Sequence, residues 1–165
     1  MNNGKLDLNQ LERELAEAIR NERFLTIHTS TYFQTYKNIY LVNGSVIGKR
    51  QQGRIKNEYE IGKYLFENEI NVPEQYGVID LDKEQGVILM QRINGFNLIL
   101  EWIKMARITD PKRVEGLWLE ELRKARALGL VPGDDILHMN NSLYSPGEDK
   151  VYLIDFEFWR SGTAF

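Results

Sequence analysis

The sequence contains no cysteine, and this absence removes several kinds of chemistry at once. Disulfide bonds, thiolate metal sites and cysteine nucleophiles are all excluded. Positive charge is not in excess either: the formal net charge is −3, so no global basic field attracts nucleic acid or an anionic membrane. Long apolar runs, internal repeats and low-complexity segments are also absent. We therefore expect a cytoplasmic protein with no membrane span and no nucleic-acid partner.

Composition and periodicity predict an α+β protein of two small lobes. The 165 residues are 42% hydrophobic and 27% charged, as in ordinary globular domains. Apolar spacing predicts helices over residues 7–22, 54–69, 96–107 and 110–129. The predicted strands are 23–29, 38–42, 45–49, 75–80 and 86–92, with a final hairpin of 142–144 and 151–154. We expect an N-lobe over 1–93, with an N-terminal helix, a five-stranded antiparallel sheet and one further helix. A mainly helical C-lobe would cover 94–165.

Two charged residues of the N-lobe stand out. Lys49 closes an apolar strand that follows the tight Asn43-Gly44 turn. Glu58 lies in the helical stripe that should face the core, and a buried carboxylate needs a partner or becomes protonated. Together, Lys49 and Glu58 indicate the ion pair that presents a lysine to ATP. The alternatives are a solvated lysine at the end of the strand and a half-exposed glutamate at the edge of the stripe.

The last quarter of the chain carries a second group of polar residues. Asp135 and Asn140 have the Asp-x-x-x-x-Asn spacing, and Asp134 precedes them in the same loop. Asp155 directly follows the apolar run 151–154. In phosphoryl transfer, one carboxylate positions the attacking hydroxyl, while an asparagine and a second carboxylate hold magnesium against the phosphates. Taken separately, each feature could equally be an ordinary turn or strand end.

In this order along the chain, these features resemble those of the protein-kinase-like superfamily. The chain is most similar to small, atypical members: the Rio-type and KEOPS-associated kinases, and the aminoglycoside and choline phosphotransferases. The resemblance covers about residues 24–159. The segments that carry it are 46–49, 57–60, 70–73, 87–98, 128–134 and 154–157.

The resemblance implies ATP and Mg²⁺ as cofactors of a two-lobed kinase-like fold. Lys49, held by Glu58, would contact the α- and β-phosphates. Adenine would lie against the segment Met90, Gln91, Arg92 and Ile93.

The resemblance also implies roles for the residues of the second group. Asp134, favoured by the motif, or Asp135, favoured by the spacing, would orient the acceptor hydroxyl. Asn140 and Asp155 would bind the metal.

Some positions depart from the family pattern. Residues 29–35, where a glycine-rich phosphate loop belongs, contain no glycine, and Pro132 stands where the family usually has histidine. The sequence ends soon after Asp155, so we expect a truncated C-lobe. Its apolar surface, near Phe156, Phe158, Trp159 and Phe165, would be covered by a protein partner or a second copy.

We therefore expect a kinase whose acceptor is a protein Ser/Thr hydroxyl. A small-molecule hydroxyl is the nearest alternative, because of Glu157. A rival of another class is a pseudokinase-type module that binds nucleotide or protein without turnover. A non-enzymatic α+β domain with accidental motifs is the third hypothesis.

Overall fold

The computed structural model describes residues 7–28, 33–82, 84–98, 110–132 and 139–161. In these ranges the helices are α1 (Leu8–Arg20), α2 (Ile55–Glu67) and α3 (Pro111–Ala127). The strands are β1 (Phe24–His28), β2 (Phe33–Leu41), β3 (Val46–Gln52), β4 (Gln75–Asp80), β5 (Gln85–Gln91), β6 (Phe96–Asn97), β7 (Leu130–Val131), β8 (Ser142–Ser145), β9 (Lys150–Leu153) and β10 (Arg160–Ser161). A 3-10 turn spans Met139–Asn141. None of the described helices has the length and apolarity needed to cross a membrane.

The first five strands form one antiparallel sheet in the order β1-β2-β3-β5-β4. The predicted Asn-Gly turn joins β2 to β3. Asn43 Oδ1 accepts hydrogen bonds from the backbone N–H groups of Ser45 and Val46, each at 3.0 Å. An asparagine that bonds to the backbone just ahead of it closes a tight turn, so the hairpin prediction is confirmed.

Helix α1 packs on one face of this sheet. It begins at Asp7, whose carboxylate accepts from the Asn9 N–H at 3.0 Å. Leu11, Leu15 and Ala18 are buried with sheet residues in one apolar core. Leu8 shares their helical spacing but is 48% exposed, because it lies at the first turn of the helix.

The chain divides into two compact units, Met1–Ile55 with Gln75–Arg92 and Lys56–Glu74 with Ile93–Phe165. The sequence had suggested a single boundary at residue 93, with α2 in the first lobe. In the structure, α2 belongs with the second unit because its Ile61 and Leu65 share a core with Trp118 and Leu122 of α3.

The start and end of α3 lie close to the predicted bounds of 110–129. Asp110 caps the helix by accepting from the Arg113 N–H at 3.1 Å, and Pro111 occupies the first turn. Gly129, two residues after the helix, has a φ of +80°, a conformation that favours glycine.

Several strand predictions were incomplete or wrong. Phe96 was expected to begin a helix but lies in β6, which pairs with β8; residues 99–107 of that predicted helix lie outside the described part. Close pairing is possible because a Cβ at Gly95 would lie 2.6 Å from the Tyr144 carbonyl oxygen. The short β7–β10 sheet had no sequence signal, since each strand has only two residues.

Candidate functional site

Lys49 lies in the middle of β3, not at the strand end that the sequence suggested. Its backbone pairs with Ile39 of β2 and Ile88 of β5. The neighbouring Gly48 faces α1, because a Cβ there would lie 3.0 Å from Leu15 Cδ1. Successive side chains of a strand point to opposite faces. The half-buried Lys49 side chain therefore lies on the sheet face away from α1.

The segment expected to contact adenine is the end of β5 and the two residues that follow. The Arg92 N–H donates to a carbonyl in the turn before β3 at 2.8 Å, so its backbone faces β3. Backbone polar groups alternate in direction along a strand. Those of Gln91 therefore point away from β3, toward the side of β5 where β4 begins at Gln75. Met90 is buried and Ile93 is half-buried.

Glu58 lies in the first turn of α2 and is only 2% exposed. A carboxylate near a helix N-terminus is favoured by the helix dipole, but burial this deep also requires polar partners. Glu60, two residues further along the same helix, is exposed. The core-facing stripe of α2 therefore does contain a carboxylate.

Asp155 has an unusual backbone conformation. It comes two residues after β9 and has a φ of +66°. Side chains other than glycine rarely adopt this left-handed region, although Asp and Asn tolerate it best because their short polar groups bond locally. Such a conformation persists only where the surrounding structure holds it.

One backbone hydrogen bond brings the two predicted metal ligands close together in the fold. Asn140 is the middle residue of the 3-10 turn. The Ile154 N–H donates to the Asn141 carbonyl at 2.9 Å. Since each bonded residue is next to a predicted ligand, Asn140 and Asp155 occupy neighbouring backbone positions.

The donor types at this place fit magnesium. In the described ranges, no group of three or more His, Cys, Asp and Glu side chains forms a cluster. Magnesium bound together with a nucleotide needs only one or two protein carboxylates, and phosphates and water supply the other oxygens. An asparagine and an aspartate are ligands of this oxygen type.

Two tyrosines, Tyr144 partly buried and Tyr152 buried, form side-chain hydrogen bonds within the hairpin that leads to Asp155. Tyr144 donates to Asp149 Oδ1 at 3.0 Å, and Asp149 also pairs with Arg113. Tyr152 donates to Glu148. Burial and these carboxylate bonds raise the pKa of both phenols, so each remains a protonated donor at neutral pH.

Contacts between the α2 region and the segment after β9 were not found from the sequence. The Asn57 amide nitrogen lies 3.3 Å from the Glu157 carbonyl oxygen and 3.4 Å from that of Trp159. The Leu153 N–H donates to the Asn71 carbonyl at 2.9 Å. The Asn57 contact to Glu157 joins residues 100 positions apart, so no local periodicity could have indicated it.

A second buried carboxylate, Glu121, supports the loop around Asn71, and the sequence analysis did not identify it. Glu121 of α3 is 4% exposed; its carboxylate accepts from the Asn71 N–H at 2.9 Å and from Lys124 at 2.7 Å. The hydrogen bond to Glu121 raises the pKa of Lys124. The sequence signal for a buried Glu121 was the apolar spacing from Val114 to Ala125, which places position 121 on the core-facing side of the helix.

The candidate residues are thus divided between the two units. Lys49 and the 90–92 segment belong to the first unit, and Glu58 and Asp155 to the second. Asp134 and Asp135 lie outside the described residues. A backbone hydrogen bond joins the sequence neighbours of Asn140 and Asp155. Their shared role as metal ligands and the Lys49–Glu58 ion pair both stay predictions.

The expected apolar surface after Asp155 needs a correction. Phe156 and Trp159 are each 2% exposed, with their rings edge to face at 5.4 Å. The backbone N–H of Trp159 donates to the Phe156 carbonyl at 3.1 Å, and this turn directs both rings into the core. Phe158 is 45% exposed, as expected, and Phe165 lies outside the described part.

Sheet, helices and hairpin together define a mixed α+β, kinase-like fold, in agreement with solved kinase structures. A structure of the bifunctional kinase-methyltransferase WbdD matches with a TM-score of 0.54 and 14% identity, over 85% of this chain and 37% of that one. A structure of monomeric WbdD has the same score and identity, over 82% and 40%. The kinase PK-1 of Cydia pomonella granulovirus has a TM-score of 0.54 and 11% identity, over 91% and 60%.

The chain therefore spans less than two thirds of each of these structures. No protein-family model matches the sequence, and neither does any curated protein. At identities this low the similarity shows the fold alone. The resemblance to Rio-type and KEOPS-associated kinases stays a prediction.

Proposed function

We propose that the chain is an ATP- and magnesium-dependent phosphotransferase that acts on a Ser/Thr hydroxyl of a protein. The observation that supports the proposal is the backbone hydrogen bond from Ile154 to Asn141, because these two residues are the sequence neighbours of Asp155 and Asn140. The left-handed conformation of Asp155 supports it, because backbone strain is concentrated at functional sites.

Each candidate residue has a distinct role in this proposal. Lys49, paired with Glu58, neutralises the α- and β-phosphates. Asp155 and Asn140 hold Mg²⁺, which when bound supplies charge neutralisation at the phosphates. Asp134 or Asp135 orients the acceptor hydroxyl. Catalysis would rest on positioning and electrostatic stabilisation of the transferred group.

Thermal unfolding with and without Mg-ATP tests the nucleotide site. ATP at about 100 times its dissociation constant should stabilise the wild type by about 2.7 kcal/mol, or roughly 5–10 °C. The shift should disappear in Lys49→Ala and in Asp155→Asn. Asparagine also tolerates the left-handed conformation, so the second variant removes the charge without straining the backbone.

Matched controls exist for both variants. Lys37 lies exposed on β2 of the same sheet, and Asp80 lies exposed at the end of β4. Lys37→Ala and Asp80→Asn should keep the full shift. No shift in the wild type, or equal loss in the controls, would contradict the proposed nucleotide site.

A pseudokinase is the second candidate, and particular residues favour it. Residues 29–35 contain no glycine, and Pro132 occupies the position where the family has histidine. Incubation with γ-labelled ATP separates the two functions. Label on a protein supports the proposed kinase, and label on a small molecule supports the alternative acceptor. Binding with no transfer to protein, small molecule or water supports the pseudokinase.

A further inference from the structure

The backbone before Asp155 is attached to two different loops. The Leu153 N–H donates to the Asn71 carbonyl, beyond the C-terminal end of α2, and the Ile154 N–H donates to Asn141. Both bonds are 2.9 Å long. These contacts fix the chain up to the residue that precedes the left-handed turn.

The backbone after Asp155 is attached to the other end of α2. Trp159 and Phe156 form a turn through their backbone and share the core through their rings. The amide group of Asn57, in the first turn of α2, lies within hydrogen-bond distance of the carbonyl oxygens of Glu157 and Trp159. One side chain thus serves two carbonyls of the turn that follows Asp155.

Helix α2 and its C-terminal exit therefore contact the Asp155 segment on both sides. Asn71 acts through its backbone carbonyl, which any residue would supply, but Asn57 acts through its side-chain amide. Asn57 is also the direct neighbour of the buried Glu58. The identity of residue 57 is thus the sequence-specific part of this attachment.

We propose that Asn57 is a positioning residue that holds the backbone around Asp155 in its left-handed conformation and thereby orients the carboxylate toward Mg²⁺. The proposal rests on the proposed function for the metal, but the contact itself is independent of nucleotide. Asn57 has no direct part in binding ATP. The effect of Asn57 on the affinity for ATP should appear when magnesium is present and be lost when magnesium is absent.

The substitution that tests the proposal is Asn57→Ala. Alanine has a higher helix propensity than asparagine, so α2 is not weakened by the change. The matched control is Asn68→Ala, just beyond the C-terminal end of α2, where the Asn68 amide donates to the Tyr64 carbonyl of its own helix at 2.8 Å. Asn57→Gln keeps the amide donor on a longer side chain and tests for rescue.

Two measurements are made on each full-length variant. The first is hydrogen–deuterium exchange of residues 155–161 without ligand. In Asn57→Ala, a loss equivalent to one ordinary hydrogen bond should speed exchange of these residues about three- to tenfold. In Asn68→Ala, exchange of the same residues should be unchanged. The second is the dissociation constant of ATP, with excess MgCl₂ or with EDTA. Asn57→Ala should weaken binding about three- to tenfold with magnesium and have no effect with EDTA.

The outcomes separate this proposal from the proposed function. Wild type that binds no Mg-ATP overturns both. If wild type binds Mg-ATP, unchanged exchange in Asn57→Ala overturns the positioning role alone. Faster exchange with unchanged Mg-ATP affinity also overturns it, because the contact is then structural only. Equal weakening with and without magnesium contradicts an action through the metal. Partial recovery of both readouts in Asn57→Gln supports the proposal, and so does the magnesium-specific loss.

Discussion

Two polar links between elements, one in each compact unit, differ in how deeply they are buried. In the first unit, Asn43 of the β2–β3 turn donates to Glu14 of α1 at 2.7 Å, and both residues are partly exposed. In the second unit, the buried Glu121 of α3 accepts from the backbone of Asn71. A polar bond in the interior is stronger, and much costlier to break, than one in contact with water. The second unit should therefore depend more on the Glu121 link than the first unit does on the Glu14 link.

The largest effect is expected from the apolar core of the second unit. Trp159→Ala should lower the free energy of unfolding by about 3–5 kcal/mol, because it empties a fully buried site. No hydrogen-bond partner of the Trp159 indole N–H is present among the described residues, so the loss is one of packing. Denaturant titration measures it, with Phe158→Ala, 45% exposed, as the milder control.

Hydrogen exchange of the same Trp159 variant tests whether the units are energetically separate. Amides of α3 and β9 should exchange faster, while those of β3 and β5 change less. Equal acceleration in both units would break the comparison, because it would show a single cooperative core.

Glu121→Ala should have an intermediate effect. Removing this carboxylate leaves the Asn71 N–H without its acceptor, at an expected cost of about 1–3 kcal/mol. The adjacent Glu120 is exposed and lies 3.3 Å from the same Lys124. Glu120→Ala should therefore change the free energy of unfolding, measured by denaturant titration, by less than about 0.5 kcal/mol. Similar losses in the two variants would mean that Glu121 acts only as a partner of the lysine.

The smallest effect concerns Glu14 and appears only in acid. Hydrogen bonds from Asn43 and then Gln10 hold the pKa of Glu14 below its ordinary value of 4.5. A lowered pKa means that the stabilisation is complete above pH 4.5 and is lost as the pH falls through the folded-state value. Glu14→Gln cannot titrate at this position, so between about pH 5 and pH 3 it should lose less stability than the wild type does. The difference between the two losses should be under about 1 kcal/mol. Parallel pH curves for the two proteins would refute this.

Local patterns were sufficient for much of the first unit. The apolar stripe of α1, the Asn43-Gly44 turn and the alternating strands each depend on residues close in sequence. The cap of α3 at Asp110 is predictable for the same reason: its carboxylate bonds three residues ahead. Local signals were least reliable at the ends of elements, as at Lys49 and Phe96.

The candidate site was only partly accessible to such reasoning. The sequence indicated Asp155 by its position after an apolar strand, but it contained nothing about the left-handed φ of that residue. The residues on either side of Asp155 bond to Asn141 and to the α2 region, which are distant along the chain.

What the sequence determined by itself was the type and order of the longer described elements, because helical and strand periodicities follow from the geometry of a few neighbouring residues. It also determined which chemical groups are available, including the absence of every thiol. The tertiary structure alone decided that α2 shares a core with α3 and that Asn57 contacts the turn after Asp155. The reason is physical: such contacts form when separate apolar faces pack together, and the partner that each face meets is not encoded within a local segment.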